Sequence, residues 1–530
     1  MPQVELYDTT LRDGAQYEGI SLSVDDKLAI TGRLDQIGVQ YIEGGWPGSN
    51  PKDAEFFERA KGLELSGATL TAFGSTRRAN IAVEQDANLL ALLEAETLVV
   101  TLVGKSWDLH ATRVLETSLE ENLAMVADSV AFLHARDRRV FFDAEHFFDG
   151  FKANRDYALQ SVRVAAEAGA ECVILCDTNG GTLPDEIADI VAVVRKDTQV
   201  RLGIHTHNDA DTAVAGSLAA VRAGVTQVQG TINGYGERCG NANLLSVIPN
   251  LKLKMGIDCV SEKQLEALTD ASRYVAEIAN MSSVASQPYV GTSAFAHKGG
   301  LHASAVAKVE HSYQHVAPES VGNIKRVLVS ELSGRSNILF KIQELDLNID
   351  LTPSQTSHLL QQIKFQESRG FQYEGAEASF ELLVRRMDPG YRSPFALLDF
   401  MTVVEKRPPS GTNGDEMSSQ VMLKVQVGDE VMHTAADGNG PVNALDNALR
   451  KALLRFYPIL EVVRLADYKV RVMEQMHGTE ATVRALIEST DGNDTWSTVG
   501  ASENIIEASW MALSDSMEYW LARHDVPVVS

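Results

Sequence analysis

The stretch Gly203-Ile-His-Thr-His-Asn-Asp-Ala210 decides how this chain is read. It closes an apolar run that opens at Val200, and such a run predicts a β-strand. With a period of two, His205 and His207 then share one face and lie close enough to grip one metal ion. Two imidazoles need a carboxylate to complete such a site. A candidate lies near the chain start, in Leu6-Tyr-Asp-Thr-Thr-Leu-Arg-Asp-Gly14, where Asp13 is the expected ligand. The fold must therefore carry the first residues to a strand near position 205.

Outward from that strand, strand-like and helix-like runs alternate from Val4 to about Lys254. Strands are expected over 4–11, 41–45, 69–74, 98–104, 140–145, 172–178, 201–208 and 227–234, each followed by a helical pattern. Pro184 suits a first helical turn, because its missing N–H is not needed there. Gly38, Gly169 and Gly224 fall where helices should end, a position that favours glycine. Eight strand–helix units in about 250 residues predict a (β/α)8 TIM barrel. A doubly wound open sheet is the alternative.

The pattern then changes. Helices are expected over 262–281, 352–369 and 377–387, with a Gly-, Ser- and His-rich stretch over 287–304. Residues 407–419 read as a polar linker or exposed loop. Beyond them a weak repeat places a hairpin and a helix over 421–456, then again over 482–521. The expected domains are a catalytic barrel over 1–285, helical linker subdomains over 286–405 and a C-terminal α+β regulatory domain over 406–530.

Composition narrows the function. The chain has 530 residues, 44% of them hydrophobic, and a formal charge of −25. That balance argues against a nucleic-acid or anionic-membrane surface. An anionic substrate would need a locally basic or metal-bearing pocket. No apolar run reaches the roughly 18 residues of a membrane span. The N-terminus shows no signal peptide. Cys172, Cys176, Cys239 and Cys259 are few for this length and suit a reducing, cytoplasmic compartment. Cys172 and Cys176 read as buried thiols rather than a zinc pair, and nothing local marks Cys239 as reactive.

In a barrel of this kind, chemistry sits at the carboxyl ends of the strands. Asp13, Glu43, Glu145, Thr178, His205, His207 and Asn208 all fall at or just after such ends. Asp13 with two imidazoles suits a divalent ion, with Mn2+, Mg2+ and Zn2+ as candidates. A 2-oxo acid could fill open positions on that ion, which would polarise its carbonyl. Arg12 would place a fixed positive charge beside the carbonyl oxygen. The glycine-rich loop Asn233-Gly-Tyr-Gly-Glu-Arg-Cys-Gly-Asn-Ala242 offers Asn241 as a possible fourth ligand.

Asp8-Thr-Thr-Leu-Arg-Asp-Gly-Ala-Gln16, His205-Thr-His-Asn-Asp209 and the 233–242 loop together resemble the acyl-CoA Claisen-condensing family: the 2-isopropylmalate, homocitrate and citramalate synthases. Glu43-Gly-Gly-Trp-Pro-Gly-Ser-Asn-Pro51 and Gly104-Lys-Ser-Trp-Asp-Leu-His110 look most like the citramalate branch. The resemblance spans nearly the whole chain and implies condensation of acetyl-CoA with pyruvate and water to (R)-citramalate and CoA, in isoleucine biosynthesis. It implies that Asp13, His205, His207 and Asn241 hold the metal. It also implies that Arg12 and Thr178 bind the 2-oxo acid and that Glu145 assists. Asp143 would face the substrate pocket, where some citramalate synthases carry an aromatic residue. Ala15 stands where many relatives carry an acid. His302 and Tyr313 resemble the family's catalytic pair, often supplied by a partner subunit. The C-terminal repeat resembles a leucine- or isoleucine-sensing domain, with isoleucine the expected inhibitor and a homodimer the expected assembly.

Three rival readings remain. One is a sister synthase making leucine or lysine precursors. Another is an acyl-CoA lyase or a biotin-dependent carboxyltransferase on the same barrel. The carboxyltransferase needs a barrel-strand lysine that the eight expected strands lack, and such lyases stop near the barrel's end. The last is a non-enzymatic amino-acid sensor on an inactive barrel, which intact metal ligands argue against.

Overall fold

The computed structural model describes residues 3–299, 302, 305, 309, 312–330, 332–347, 349–407, 416–473 and 481–528. They fall into two compact units, Met1–Phe295 with His315–Lys325, and Ala296–Gln314 with Arg326–Ser530.

The first unit is a closed barrel of parallel strands in sequence order. These are β1 Glu5–Asp8, β2 Tyr41–Gly45, β3 Thr69–Ser75, β4 Val99–Lys105, β5 Arg139–Glu145, β6 Cys172–Asp177, β7 Arg201–Thr206 and β8 Gln227–Gly230. β8 pairs back onto β1, with Leu6 opposite Val228, and closes the ring. The strands are rich in β-branched and aromatic residues because both faces are covered. Inside, Tyr7, Tyr41, Val99, Phe141, Cys172, Ile174 and Cys176 pack together. The outward face packs against the helices through a larger cluster that includes Ile42, Val100, Leu102, Phe142 and Val173. Both cysteines are thus wall residues of the barrel interior, and burial pushes the Cys172 thiol up to about 12.

Helix ends follow local chemistry. Ser23 and Asp26 form a capping box on the helix Val24–Gln36, and Pro184 opens the helix Pro184–Asp197. Gly38, Gly169 and Gly224 adopt positive φ where helices return to strands. The strand expected over 227–234 ends early, at Gly230, because Asn233 turns the chain with a φ of 60°. A helix missed in the sequence, Phe147–Ala153, starts at once after β5, made possible by His146 in the left-handed region.

The second unit contains a short parallel pair, β9 Ala296–His297 and β10 Arg326–Val327. The helices Arg335–Glu344, Pro353–Ser368 and Glu377–Arg385 share a core of Ile338, Leu359, Ile363, Phe380 and Val384. Two antiparallel three-stranded sheets follow. One is β11 Ala396–Arg407, β12 Glu416–Val427 and β13 Glu430–Gly438, with the helix Pro441–Leu453. The other is β14 Arg464–Val472, β15 Val483–Thr490 and β16 Thr495–Ser502, with the helix Ile505–Arg523. Each expected hairpin therefore has a third strand ahead of it. Most of the expected linker over 407–419 lies outside the described residues. Its ends are strand residues, with Arg407 opposite Glu416. Among the described residues no helix is long and apolar enough to cross a membrane.

Candidate active site

Three distant stretches meet at the carboxyl end of the barrel. Asp13 lies just past β1 and opens a short 3-10 turn, Gly14–Gln16, without capping it through its side chain. His205 is on β7 and His207 follows that strand directly. Asn241 comes back from the loop after β8 to form a single bridge with His207. Gly236 makes that return possible, since a Cβ there would lie 2.0 Å from Asn241 Nδ2.

The donors converge. His205 Nε2 lies 3.7 Å and His207 Nε2 3.8 Å from Asp13 Oδ2, and the two imidazole nitrogens are 3.3 Å apart. Edges of this length suit three donors gripping one divalent ion. All three residues are buried. Asn241 Nδ2 donates to Asp13 Oδ1 at 3.1 Å, while Asn241 Oδ1 is buried with no partner among the described residues. An orphaned amide oxygen beside a carboxylate and two imidazoles fits a cation's fourth protein ligand. Burial works against the Asp13 charge, but Arg12, His205 and His207 outweigh it and hold the carboxyl at about 2. Burial and the neighbouring His205 push the His207 imidazole down to about 3. Both groups thus favour the deprotonated forms that bind metal.

Arg12 is fixed beside this group. Its Nε donates to Glu43 Oε1 at 2.5 Å and its Nη1 to Asp13 Oδ2 at 3.3 Å, and the guanidinium sits 3.9 Å above the Phe73 ring. Glu43 is fully buried and also accepts from Tyr7 and Thr9. It is a scaffold for Arg12. Burial opposes the Arg12 charge, yet Glu43 and Asp13 keep its pKa above the usual value.

The other expected residues take up different positions. Glu145 pairs with Lys105 at the ends of β5 and β4. Thr178 Oγ1 accepts from the His146 amide at 2.9 Å, which leaves its hydroxyl hydrogen available to donate. Asn208 Oδ1 accepts from Ala213 N at 3.1 Å and holds the turn into the next helix. Asp143 accepts at Oδ1 from Gln229 Nε2 at 3.1 Å, and Gln229 Oε1 lies 2.9 Å from His205 Nδ1. Burial, reinforced by Glu43, pushes the Asp143 carboxyl well above the usual carboxylate range. In the second unit, the His302 and Tyr313 rings stack at 4.4 Å, both exposed. Gln229 went unnoticed in the sequence, while Gly236 belongs to the glycine-rich loop already singled out there. Gln229 shares its strand parity with Gln227, and two long amides on one face of a barrel strand are a usable signal.

A parallel eight-stranded barrel with a buried Asp–His–His group at its carboxyl end places the chain in the HMGL-like class, whose family model matches residues 3–275. Residues 289–370 match the homocitrate synthase post-HMGL domain-like model, and residues 374–521 match the LeuA allosteric (dimerisation) domain. The chain is 54% identical to an (R)-citramalate synthase of Geobacter sulfurreducens, with 99% of each chain covered. It is 52% identical to an (R)-citramalate synthase of Aquifex aeolicus, over 99% of this chain and 98% of that one. A probable 2-isopropylmalate synthase of Methanopyrus kandleri is 32% identical over 96% of each. The chain belongs to the (R)-citramalate synthase family.

Proposed function

We propose that the barrel condenses acetyl-CoA with pyruvate and hydrolyses the resulting thioester, releasing (R)-citramalate and CoA. The observation that carries this reading is the convergence of Arg12 on the Asp13–His205–His207 group, in a chain akin to citramalate synthases over its full length. A divalent ion held by Asp13, His205, His207 and Asn241 would act as a Lewis acid on the 2-oxo acid carbonyl.

The protein's own groups do the rest. Thr178 donates its free hydroxyl hydrogen to the pyruvate carboxylate. The Arg12 guanidinium faces the keto oxygen and stabilises the charge that develops there. The methyl group of acetyl-CoA is a weak carbon acid, so a base must take its proton as the new C–C bond forms. His302, stacked on Tyr313 and supplied by a partner subunit, is assigned that role from the family resemblance, with Glu145 assisting. The former keto oxygen becomes a hydroxyl. Water then cleaves the C–S bond, leaving a carboxylate and the CoA thiol. Hydrolysis makes the sequence effectively irreversible.

The LeuA-type domain supports a homodimer and an allosteric effector, for which isoleucine is our assignment. The 32% identity to a 2-isopropylmalate synthase makes that activity the second reading. A free-thiol assay of CoA release across several 2-oxo acids, with and without EDTA, separates the two. Pyruvate should give the highest kcat/KM, EDTA should abolish turnover, and isoleucine should inhibit. A higher kcat/KM for 2-oxoisovalerate than for pyruvate overturns the assignment.

A further inference from the structure

We infer that Gln229, held from behind by Asp143, is a positioning residue that fixes which nitrogen of His205 is bare. The inference rests on the metal reading of the Asp13–His205–His207 group, and its test separates the two.

The amide of Gln229 has two unlike ends. Its Nε2 donates to Asp143 Oδ1 at 3.1 Å. Asp143 is on β5 and Gln229 on β8, strands that are not neighbours, so this bond crosses the barrel interior. With the nitrogen engaged there, the oxygen is the end that faces His205, on the adjacent strand in register. Gln229 Oε1 lies 2.9 Å from His205 Nδ1. A carbonyl oxygen only accepts, so Nδ1 must carry the hydrogen. A neutral imidazole has one such hydrogen, which leaves Nε2 with its lone pair aimed at Asp13 and His207.

The other imidazole has no such support. His207 Nδ1 is buried and has no partner among the described residues. Gln229 is wholly buried and Asp143 is 3% exposed, so bulk water does not stand in for either. Outer groups of this kind orient a ligand and raise its basicity. Asp143 therefore serves the site through Gln229 and His205.

The test uses the full chain stripped of metal by chelator. Mn2+ affinity is followed by electron paramagnetic resonance, and the His205 tautomer by 15N chemical shifts of histidine-labelled protein, with His205→Gln assigning the signal. Gln229→Met should weaken Mn2+ binding about 10- to 100-fold, with the His205 hydrogen redistributed between its nitrogens. Gln229→Glu keeps an acceptor opposite Nδ1 and should restore affinity to within about threefold of the parent, the rescue that a purely packing role would not give. An Nε2-protonated His205 in the metal-free parent overturns the inference without any variant. So does parental affinity in Gln229→Met, or equal loss in Gln229→Met and Gln229→Glu. A parent protein that binds no Mn2+ overturns the metal reading instead, while its tautomer still decides the role of Gln229.

Discussion

Asn241 donates from Nδ2 to Oδ1 of Asp13 at 3.1 Å, joining residues 228 positions apart in the chain. The bond fixes the amide so that its free oxygen joins the carboxylate and imidazole donors. Asn241→Ala should weaken Mn2+ binding about tenfold, and His207→Ala should abolish it. Asn241→Asp sets two carboxylates against each other. Its melting temperature should fall without metal and recover on adding Mn2+, as calorimetry can measure.

Gly236 is the clearance that lets this loop return. Gly236→Ala would force a methyl group to within 2.0 Å of Asn241 Nδ2. The expected outcome is Mn2+ affinity reduced about tenfold or more, matching Asn241→Ala. Because both changes act through one residue, the double variant should lose little beyond either alone in a titration of affinity.

Arg12 has its guanidinium divided between Glu43 and Asp13 while lying on Phe73. A lysine has one charged nitrogen and no flat face, and cannot reproduce that arrangement. Arg12→Lys should lower kcat by roughly 100-fold, with a smaller change in the KM for pyruvate. Steady-state kinetics separates the two parameters, and a pure KM effect would mean that Arg12 only binds.

The Asp35 carboxylate gathers the amides of Ser66 at 2.7 Å, Gly67 at 2.9 Å and Ala68 at 2.8 Å, tying the helix Val24–Gln36 to the approach of β3. Burial disfavours its charge, but the three amides outweigh burial and hold its pKa below the usual value. The folded state thus binds the proton less readily than the unfolded chain. Its stabilisation is full above the ordinary aspartate value of about 3.9 and is lost as pH falls through the lower folded value. Asp35→Ala should cost about 2 kcal/mol near neutrality. The gap in melting temperature from the parent should close in acid, as a pH series of thermal melts will register.

The barrel was legible because its parallel strands are buried on both faces and read as apolar runs, such as Val99–Lys105, between capped helices. Asp13, His205 and His207 were legible because metal chemistry restricts residue type and spacing. The strands β11 and β14 were not, because solvent-facing apolar residues such as Met401, Val403, Val404 and Val470 blur their alternation. Gln229 stayed hidden for another reason. Its meaning depends on Asp143, 86 positions earlier, and no local pattern records a bond across the barrel interior.

The barrel wall encloses Cys172 and Cys176, Cys259 is buried as well, and Cys239 alone faces solvent. A maleimide reagent will therefore meet a single thiol on the native protein. That thiol sits in the loop that carries Asn241, so a fluorophore attached there would watch the mouth of the barrel beside the Asp13–His205–His207 group without any engineering of the chain.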